Sequence, residues 1–259
     1  MKLPIYQADA FTSSVFGGNP AAVMPLESWL DDQTMQCIAM NNNLSETAFF
    51  VKEEDGYHLR WFTPSVEVDL CGHATLATSH VLFEHLGFQG DEITFHTKSG
   101  KLVVKKAGDF LEMDFPAYAL EKVFAPSVLF QALGVTDGEV YKTDDYLVVL
   151  ETEEQVANLT PDFRMLMEVD ARGIIVTAPG REVDFVSRFF APQSGIDEDP
   201  VTGSAHCALT PYWAGVLGKQ ELSARQISSR GGVLTCTLNG DRVTLKGEAI
   251  TFLVGEITL

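Results

Sequence analysis

Apolar residues along the chain recur mainly with the two-residue period of β-strands, and only in a few stretches with the period of an α-helix. Alternation and enrichment in aromatic and β-branched residues predict strands over residues 5–11, 47–52, 57–63, 110–115, 225–229, 233–238, 242–245 and 250–257. Cap residues predict helices over residues 31–40, 72–87, 127–133 and 203–217, the first with Asp31 as N-cap and the others ending at a glycine. The pattern therefore predicts a strand-rich α/β chain with few helices.

Two of these helices, residues 74–86 and 205–217, carry apolar or small side chains around most of their circumference. Such a helix is buried on most sides. We expect a strand-rich lobe to wrap around each one and to leave only its N-terminus open. Pro211 inside the second helix predicts a kink there.

An internal repeat connects the two halves of the chain. Residues 60–64 (RWFTP) are echoed by residues 188–192 (RFFAP) 128 positions later, and Asp69 is echoed by Asp197 at the same spacing. Gly72 is echoed by Gly203 at a spacing of 131, which predicts three residues inserted after the aspartate. The repeat predicts two pseudo-symmetric lobes, residues 1–117 and 118–248, each a curved sheet or barrel around a central helix. Residues 249–259 form a C-terminal strand that is expected to cross back to the first lobe.

Composition and net charge limit the kinds of molecule that we expect the chain to bind. The 259 residues are 46% hydrophobic, and the formal net charge is −18 with an isoelectric point near 4.6. A nucleic-acid binder needs Lys and Arg against the phosphates, so we expect no nucleic-acid partner. No apolar run reaches the length of a signal peptide core or a membrane span, which predicts a cytoplasmic protein without a membrane partner. Four cysteines without a CxxC pair predict reduced thiols.

Motifs for metals and nucleotides are missing from the sequence. Neither HExxH nor CxxC occurs, and His80 and His85 are expected on different faces of a helix. No GxGxxG or P-loop occurs, and Gly17-Gly18-Asn19 lacks the lysine of a phosphate cradle. We therefore predict no metal and no cofactor.

Both helices that begin at the repeated glycines start with a similar tripeptide, Cys71-Gly72-His73 in one half and Thr202-Gly203-Ser204 in the other. Helix N-termini carry unpaired N–H groups and partial positive charge, and glycine lets a ligand approach the backbone closely. If equivalent loops meet at one cleft, the two helix starts hold a carboxylate or a developing enolate. Ser204 also stands where helix-start hydroxyls commonly cap.

Five segments, in chain order, carry a resemblance to a known family: residues 9–12 (DAFT), 18–23 (GNPAAV), 43–49 (NLSETAF), 69–75 (DLCGHAT) and 197–206 (DEDPVTGSAH). Together they resemble the motifs of the phenazine-biosynthesis PhzF-like isomerase family. The resemblance implies the diaminopimelate-epimerase fold, commonly as a homodimer. It also implies a small-molecule substrate that bears a carboxylate.

The resemblance further implies roles for individual residues. Glu46 corresponds to the proton-transfer base, and His73, Asp199 and Ser204 correspond to residues that line the substrate, with backbone near Gly72 and Gly203. The substrate-binding set also includes Ser45, and further candidates are Cys71, Asn19 and Thr202. The predicted reaction is a proton-shift isomerisation: Glu46 removes a proton from one carbon and a proton returns at another.

Two alternatives stay open at this point. Related racemases and epimerases use a thiol at each helix start, and Cys71 occupies the first such position, but Thr202 at the second cannot match a thiol as a base. The other alternative is a non-catalytic protein that binds a small anion.

Overall fold

A computed structural model describes the whole chain, residues 1–259, and the chain divides into two compact units. The first unit comprises Met1–Asp114 and Lys246–Leu259, and the second comprises Phe115–Leu245. The division at Asp114 and Phe115 lies three residues before the boundary that the sequence predicts at residue 117. No helix combines the length and the apolar content that crossing a bilayer requires.

The first unit is built on one run of paired strands. Its strands are β1 (Lys2–Ala10), β2 (Asn19–Leu26), β3 (Glu46–Glu53), β4 (Gly56–Phe62), β5 (Glu67–Val68), β6 (Glu92–Thr97), β7 (Gly100–Ala107), β8 (Phe110–Pro116, ending in the second unit) and, at the C-terminus, β18 (Ala249–Thr258). Its helices are α1 (Asp32–Asn42) and α2 (Gly72–Glu84). Strand β1 is antiparallel to both β18 and β2, β2 is parallel to β3, and β4 is antiparallel to β3 and β5 but parallel to β6. Strands β6, β7 and β8 then follow as antiparallel neighbours.

The second unit contains the remaining elements. Its strands are β9 (Glu121–Lys122), β10 (Glu139–Lys142), β11 (Tyr146–Val149), β12 (Ile174–Pro179), β13 (Phe185–Ala191), β14 (Ile196–Asp199), β15 (Glu221–Gln226), β16 (Gly232–Asn239) and β17 (Arg242–Gly247, ending in the first unit). Its helices are α3 (Ser127–Leu133), α4 (Glu153–Ala157), α5 (Phe163–Leu166) and α6 (Gly203–Leu217), with a 3₁₀ turn at Pro192–Ser194. The predicted strand over residues 225–229 is wrong: β15 covers Glu221–Gln226 instead.

The two units repeat one order of strand pairing. In the first unit, the pairs β1–β2, β2–β3, β3–β4, β4–β5, β4–β6 and β6–β7 are antiparallel, parallel, antiparallel, antiparallel, parallel and antiparallel. In the second unit, the pairs β10–β11, β11–β12, β12–β13, β13–β14, β13–β15 and β15–β16 show the same six orientations in the same order. Each parallel pair is joined through helical segments, as parallel strands require: α1 and α2 in the first unit, α4 with α5 and then α6 in the second. The predicted two-lobed α/β fold is therefore confirmed.

A matched pair of salt bridges corrects the alignment of the repeat. Arg60 donates from Nε and Nη2 to the two carboxylate oxygens of Glu67 at 2.7 and 2.9 Å, and Arg188 binds Glu198 with the same atoms and distances. Glu67 and Glu198 are 131 positions apart, whereas the arginines are 128 apart. The three extra residues thus lie before this glutamate, in the turn that contains Pro192–Ser194. Pairing Asp69 with Asp197 was wrong.

The core of the first unit surrounds α2. Nine of its residues, from His73 to Leu82, are buried, and the helix packs against β1, β2, β3 and β18.

The helix ends at Glu84, with His85 as C-cap, and not at Gly87 as the pattern predicts. Because His85 lies beyond the last helical residue, its ring can turn toward the ring of His80. The Nε2 atoms of both rings contact Thr251 Oγ1, at 2.7 and 2.8 Å, so the expectation that the two histidines point apart is also wrong.

Helix α6 is the buried helix of the second unit and packs against β15 and β16. It runs through Pro211, which has no N–H to give to the carbonyl of Cys207 one turn earlier. The backbone N–H of Tyr118 donates to that carbonyl instead, at 3.0 Å. A buried carbonyl is thereby satisfied without a helical partner, which allows proline in the core of the unit.

Candidate active site

The start of α2 is the first place where predicted residues meet. Cys71 is the N-cap in an extended conformation, and Gly72 and His73 open the helix. Cys71 makes no capping hydrogen bond, whereas the N-caps of α1, α4 and α5 (Asp31, Thr152 and Asp162) each accept from a backbone N–H. The first turn of α2 therefore keeps its N–H groups free of a side-chain cap, as an anion-binding helix start requires.

Neighbouring parallel strands bring three more residues to this helix start. Asn19 begins β2 and Glu46 begins β3, and the register pairs Ala21 with Glu46, so both side chains lie at one end of the sheet. Gly18, with φ of +61°, sets the turn before Asn19, and a Cβ there would meet the carbonyl of Ala10 at 2.2 Å. The hydroxyl of Ser45 donates to Asn19 Oδ1 at 3.1 Å and fixes the amide.

His73 joins these side chains into one cluster. Its Nδ1 lies 3.2 Å from Asn19 Nδ2 and 3.5 Å from Cys71 Sγ, while its Nε2 lies 3.0 Å from Glu46 Oε2. The last contact has ion-pair distance but not the angle of a hydrogen bond, and neither His73 Nε2 nor Glu46 Oε2 has a hydrogen-bond partner. The side chains of His73 and Glu46 are only 5% and 13% exposed. A buried carboxylate and imidazole thus face each other with capacity left to bond a further group.

Burial and charge set the protonation of this cluster. Burial alone lowers the pKa of His73, but the neighbouring Cys71 and Glu46 favour the charged ring and raise the pKa well above its ordinary value. Burial, reinforced by the Glu46 carboxylate, raises the pKa of Cys71. Both directions favour the protonated forms of Cys71 and His73.

The start of α6 has a different environment. Thr202 is the extended N-cap and also makes no capping bond, because its hydroxyl donates to Asp199 Oδ2 at 2.5 Å. The buried Gln226 accepts from Thr202 N at 2.9 Å and donates to Asp199 O at 2.7 Å. Asp199 and Thr202 are thus held by a fixed network around the helix start.

Ser204 does not act as the cap that its position suggested. Its hydroxyl accepts a hydrogen bond from Arg172 Nη2 at 3.1 Å. Arg172 also binds both carboxylate oxygens of Asp145, whose side chain is 2% exposed, through Nε at 2.9 Å and through Nη2. Sequence reasoning missed Arg172, Asp145 and Gln226, and no local motif marks them.

His206, one turn into α6, is buried and neutral. Its Nδ1 donates to the carbonyl of Thr202 at 2.8 Å, and its Nε2 has no hydrogen-bond partner. Burial lowers the pKa of His206 to about 4, because the charged ring would lose its hydration. This histidine therefore supports the helix start without carrying charge.

The predicted site residues form two groups, one within each unit. The first group is Asn19, Ser45, Glu46, Cys71, Gly72 and His73, and the second is Asp199, Thr202, Gly203 and Ser204. That Gly72 and Gly203 hold one anion together stays a prediction. Two groups of side chains have donor atoms close enough to hold a metal: Glu46, Cys71 and His73, which are largely buried, and Glu53, Asp55 and His96, which are more exposed.

Comparison with known proteins places this arrangement in a family. The model of the PhzC-PhzF family, described as phenazine biosynthesis-like protein, matches residues 8–255. An uncharacterised isomerase of Pseudomonas aeruginosa is 53% identical over 259 residues, with both chains covered in full. The crystal structure of a PhzF-family phenazine biosynthesis protein of Enterococcus faecalis is 50% identical and matches all of both chains with a TM-score of 0.98.

A more distant structure shares the fold alone. A predicted epimerase of Pseudomonas aeruginosa is 22% identical and matches 99% of each chain with a TM-score of 0.76. The full-length match to the family model and the high identity over the entire chain agree with the order of the five sequence segments. The chain belongs to the PhzF-like phenazine biosynthesis family and is an isomerase.

Proposed function

We propose that this isomerase catalyses a proton shift on a small metabolite that bears a carboxylate, without a cofactor, and that Glu46 is the general acid and base. The observation that carries the proposal is the contact between the buried side chains of Glu46 and His73 at the uncapped start of α2. A carboxylate there can take and return a proton in a site with little water. The adjacent helix start offers N–H groups to the charge that develops.

The reaction divides into two proton transfers. Glu46 removes a proton from a carbon next to a carbonyl or unsaturated group, and the electron pair of the broken C–H bond delocalises into that group. The first turn of α2, at Gly72, stabilises the resulting anion. The carboxylic acid of Glu46 then returns the proton to a different carbon of the same system, so that the enzyme ends in its starting state.

The other residues position the substrate. His73 holds the Glu46 carboxylate through the 3.0 Å contact of Nε2, and the Asn19 amide, held by Ser45, contacts the ring at Nδ1. We propose that Asp199 and Ser204, with the N–H groups at Gly203, bind the remainder of the substrate. What supports this role is that neither helix start is closed by a side-chain cap.

The thiol-based alternative has less support. Cys71 is buried, its pKa is raised by burial and by Glu46, and Thr202 supplies a hydroxyl where a second thiol is needed. A racemase of this kind needs one base on each face of the substrate. Glu46 therefore remains the better base.

Exchange with heavy water tests the proposal and separates the alternatives. We expect the enzyme to incorporate deuterium into one or more members of a panel of small unsaturated and amino carboxylates. The Cys71→Ser variant should retain this exchange, and the Glu46→Gln variant should lose it. Exchange that survives in Glu46→Gln but not in Cys71→Ser would favour the thiol-based alternative, and binding without any exchange would favour an anion-binding protein.

We also propose that the chain acts as a homodimer in the cytoplasm. Strand β18 exposes the consecutive apolar side chains Phe252, Leu253 and Val254 at 46%, 41% and 60%, and Phe16, 68% exposed, packs against Phe252 with ring centroids 5.8 Å apart. Contiguous exposed apolar surface is typical of an interface. Light scattering should give twice the chain mass of 28.4 kDa, and Val254→Glu should shift it toward the single chain.

A further inference from the structure

Trp61 is a buried residue of β4 whose indole N–H makes no hydrogen bond. The residue is 1% exposed, and its Nε1 is one of three buried side-chain atoms of the first unit that have no hydrogen-bond partner. The other two are Glu46 Oε2 and His73 Nε2, which face each other at the start of α2. A buried indole N–H usually has an acceptor, because an unpaired buried donor is destabilising. The N–H of Trp61 therefore requires an acceptor that the chain itself does not supply.

The side chain of Trp61 points to the side of the sheet that carries α2. Its neighbours in β4, Arg60 and Phe62, point to the other side, where Phe62 belongs to the apolar cluster that includes residues of α1. Tyr57 lies on the side of Trp61, and its ring contacts that of Phe88, just after the end of α2, at 6.3 Å. Strand β4 thus runs from the end of α2 toward its start, and Trp61 lies near the start.

The strands on both sides of Trp61 lead to residues of the candidate site. In β3 its partner is Ala48, two residues after Glu46 and on the same face as Glu46. In β5 its partner is Val68, three residues before Cys71. Glu46 is therefore a diagonal neighbour of Trp61, at a separation that an aromatic side chain can span.

The second unit shows the corresponding diagonal contact directly. Phe189 is the counterpart of Trp61 in the repeated segment, and its partner in β12 is Ile175. Two residues before Ile175 is Gly173, where a Cβ would lie 2.3 Å from Phe189 Cζ. The ring of Phe189 thus reaches the position that corresponds to Glu46. Trp61 carries at the equivalent place a larger ring with an N–H that Phe189 lacks.

We propose that the N–H of Trp61 binds the substrate, by donating a hydrogen bond to a carboxylate or carbonyl oxygen conjugated with the carbon that Glu46 deprotonates. An indole N–H donates and cannot accept, so the substrate supplies the acceptor. Negative charge moves onto this oxygen when the C–H bond breaks, and a donor already fixed in a buried site stabilises it. The role rests on the proposed function, because the acceptor belongs to the substrate of Glu46. It limits the substrates to acids in which such an oxygen is conjugated with the reacting carbon.

Heteronuclear NMR of the indole N–H groups tests the hydrogen bond without turnover. The chain has three tryptophans, and Trp→Phe variants assign their signals. The probe is crotonate, a small carboxylate conjugated with a double bond. We expect crotonate to move the Trp61 proton signal downfield, as formation of a hydrogen bond does. The signal of Trp213 should stay in place, because its buried N–H already donates to Thr177 Oγ1 at 3.0 Å. Crotylamine, which has the same carbon chain and no oxygen, should move neither signal.

The Trp61→Phe variant supplies a second measurement. It retains an aromatic ring, the one that the second unit has at Phe189, and it removes the N–H. We expect the dissociation constant for crotonate, measured by calorimetry, to rise about 10-fold, as loss of one hydrogen bond to a charged group predicts. Trp213→Phe is the matched control and should leave this constant unchanged. A purely structural role of Trp61 would lower the melting temperature of Trp61→Phe and leave the constant at its wild-type value.

Three results would each overturn the proposal: no movement of the Trp61 signal up to the solubility limit of crotonate, equal movement with crotylamine, or equal affinity of Trp61→Phe and wild type. Glu46→Gln keeps the shape of the side chain and cannot transfer a proton, so the Trp61 signal should still move in that variant. Failure of the proposed isomerisation is read as absence of deuterium exchange in the wild-type chain. It is therefore distinguishable from failure of the hydrogen bond.

Discussion

The starts of α2 and α6 share a backbone plan and differ in chemistry. Each has an extended N-cap, with φ and ψ of −145° and 112° at Cys71 and −115° and 103° at Thr202, followed by glycine and no side-chain cap. Around α2 stand an acid, a thiol and a histidine with bonding capacity left, whereas around α6 the hydroxyls of Thr202 and Ser204 are already hydrogen-bonded. In the proposed function, these two helix starts divide the labour, with proton transfer at α2 and substrate recognition at α6.

The largest expected effect comes from removing the acid at α2. Glu46→Gln keeps the shape of the side chain but cannot take a proton, so we expect deuterium exchange into substrate to fall about 10³-fold, within the range of general acid–base catalysis. Glu53→Gln is the matched control, because Glu53 ends the same strand, β3, at its exposed end. Loss of exchange in both variants, or in neither, would contradict the division between the two helix starts.

The two helix starts should also differ in how acid affects stability, and His206 gives the cleanest test. Its pKa is about 4 in the folded chain and about 6.5 when unfolded. Between these values the unfolded chain binds a proton that the folded chain does not, so stability falls as pH is lowered from about 6.5 to about 4. The full effect is about 3 kcal/mol.

Urea unfolding at several pH values measures this contribution. The difference in unfolding free energy between wild type and His206→Gln should be largest at pH 7 and should shrink toward pH 4. Groups distant from residue 206 titrate alike in both proteins, so their contributions to the unfolding free energy cancel in the difference. A difference that stays constant with pH would mean that His206 is not held neutral by burial.

The salt bridge behind Ser204 joins an arginine to a buried aspartate, whereas the ion pair at α2 joins a histidine to a glutamate. Arg172→Met leaves Asp145, 2% exposed, without its cation, and we expect a loss of about 2 kcal/mol in unfolding free energy. This expected loss is smaller than the loss for a fully buried ion pair, because the Arg172 side chain is 47% exposed and solvent screens its charge. Adding Asp145→Asn should recover part of the loss. A thermal unfolding series of the two single variants and the double variant tests this coupling.

Local signals explain which parts of the fold and of the site could be predicted. Asp31 caps α1, and Gly134 and Gly218 end α3 and α6 in the left-handed conformation, so these helices follow from single residues. The short α4 also carries a signal, a capping box between Thr152 and Gln155, although the apolar pattern there is too short to reveal a helix. Glu46, by contrast, was identified through the family resemblance, since nothing local distinguishes it from a charge at a strand start.

The support of the second helix start could not be predicted, because its contacts join distant positions. Arg172 is 27 residues from Asp145 and 32 from Ser204, and Gln226 is 24 from Thr202. An arginine in a loop and a glutamine at a strand end are ordinary surface residues in the sequence. The parallel pairing of β11 with β12 brings Arg172, which precedes β12, next to Asp145, which precedes β11. The pairing of β13 with both β14 and β15 brings Gln226 toward Asp199.

The smallest expected effect concerns the hydroxyl of Thr202. Thr202→Val keeps the volume but removes the 2.5 Å hydrogen bond to Asp199, so the carboxylate loses one of the contacts that fix its direction. A hydrogen bond to a charged group contributes about 1.5–3 kcal/mol, and the exposed side of Asp199 can recover part of this through water. We expect KM to rise about 10-fold while kcat changes little, because in the proposed function Asp199 positions substrate and transfers no proton. Thr202→Ser, which retains the hydroxyl, should restore KM. A fall in kcat at unchanged KM would instead place Thr202 in the proton transfer itself, and the division of labour between the two helix starts would then be wrong.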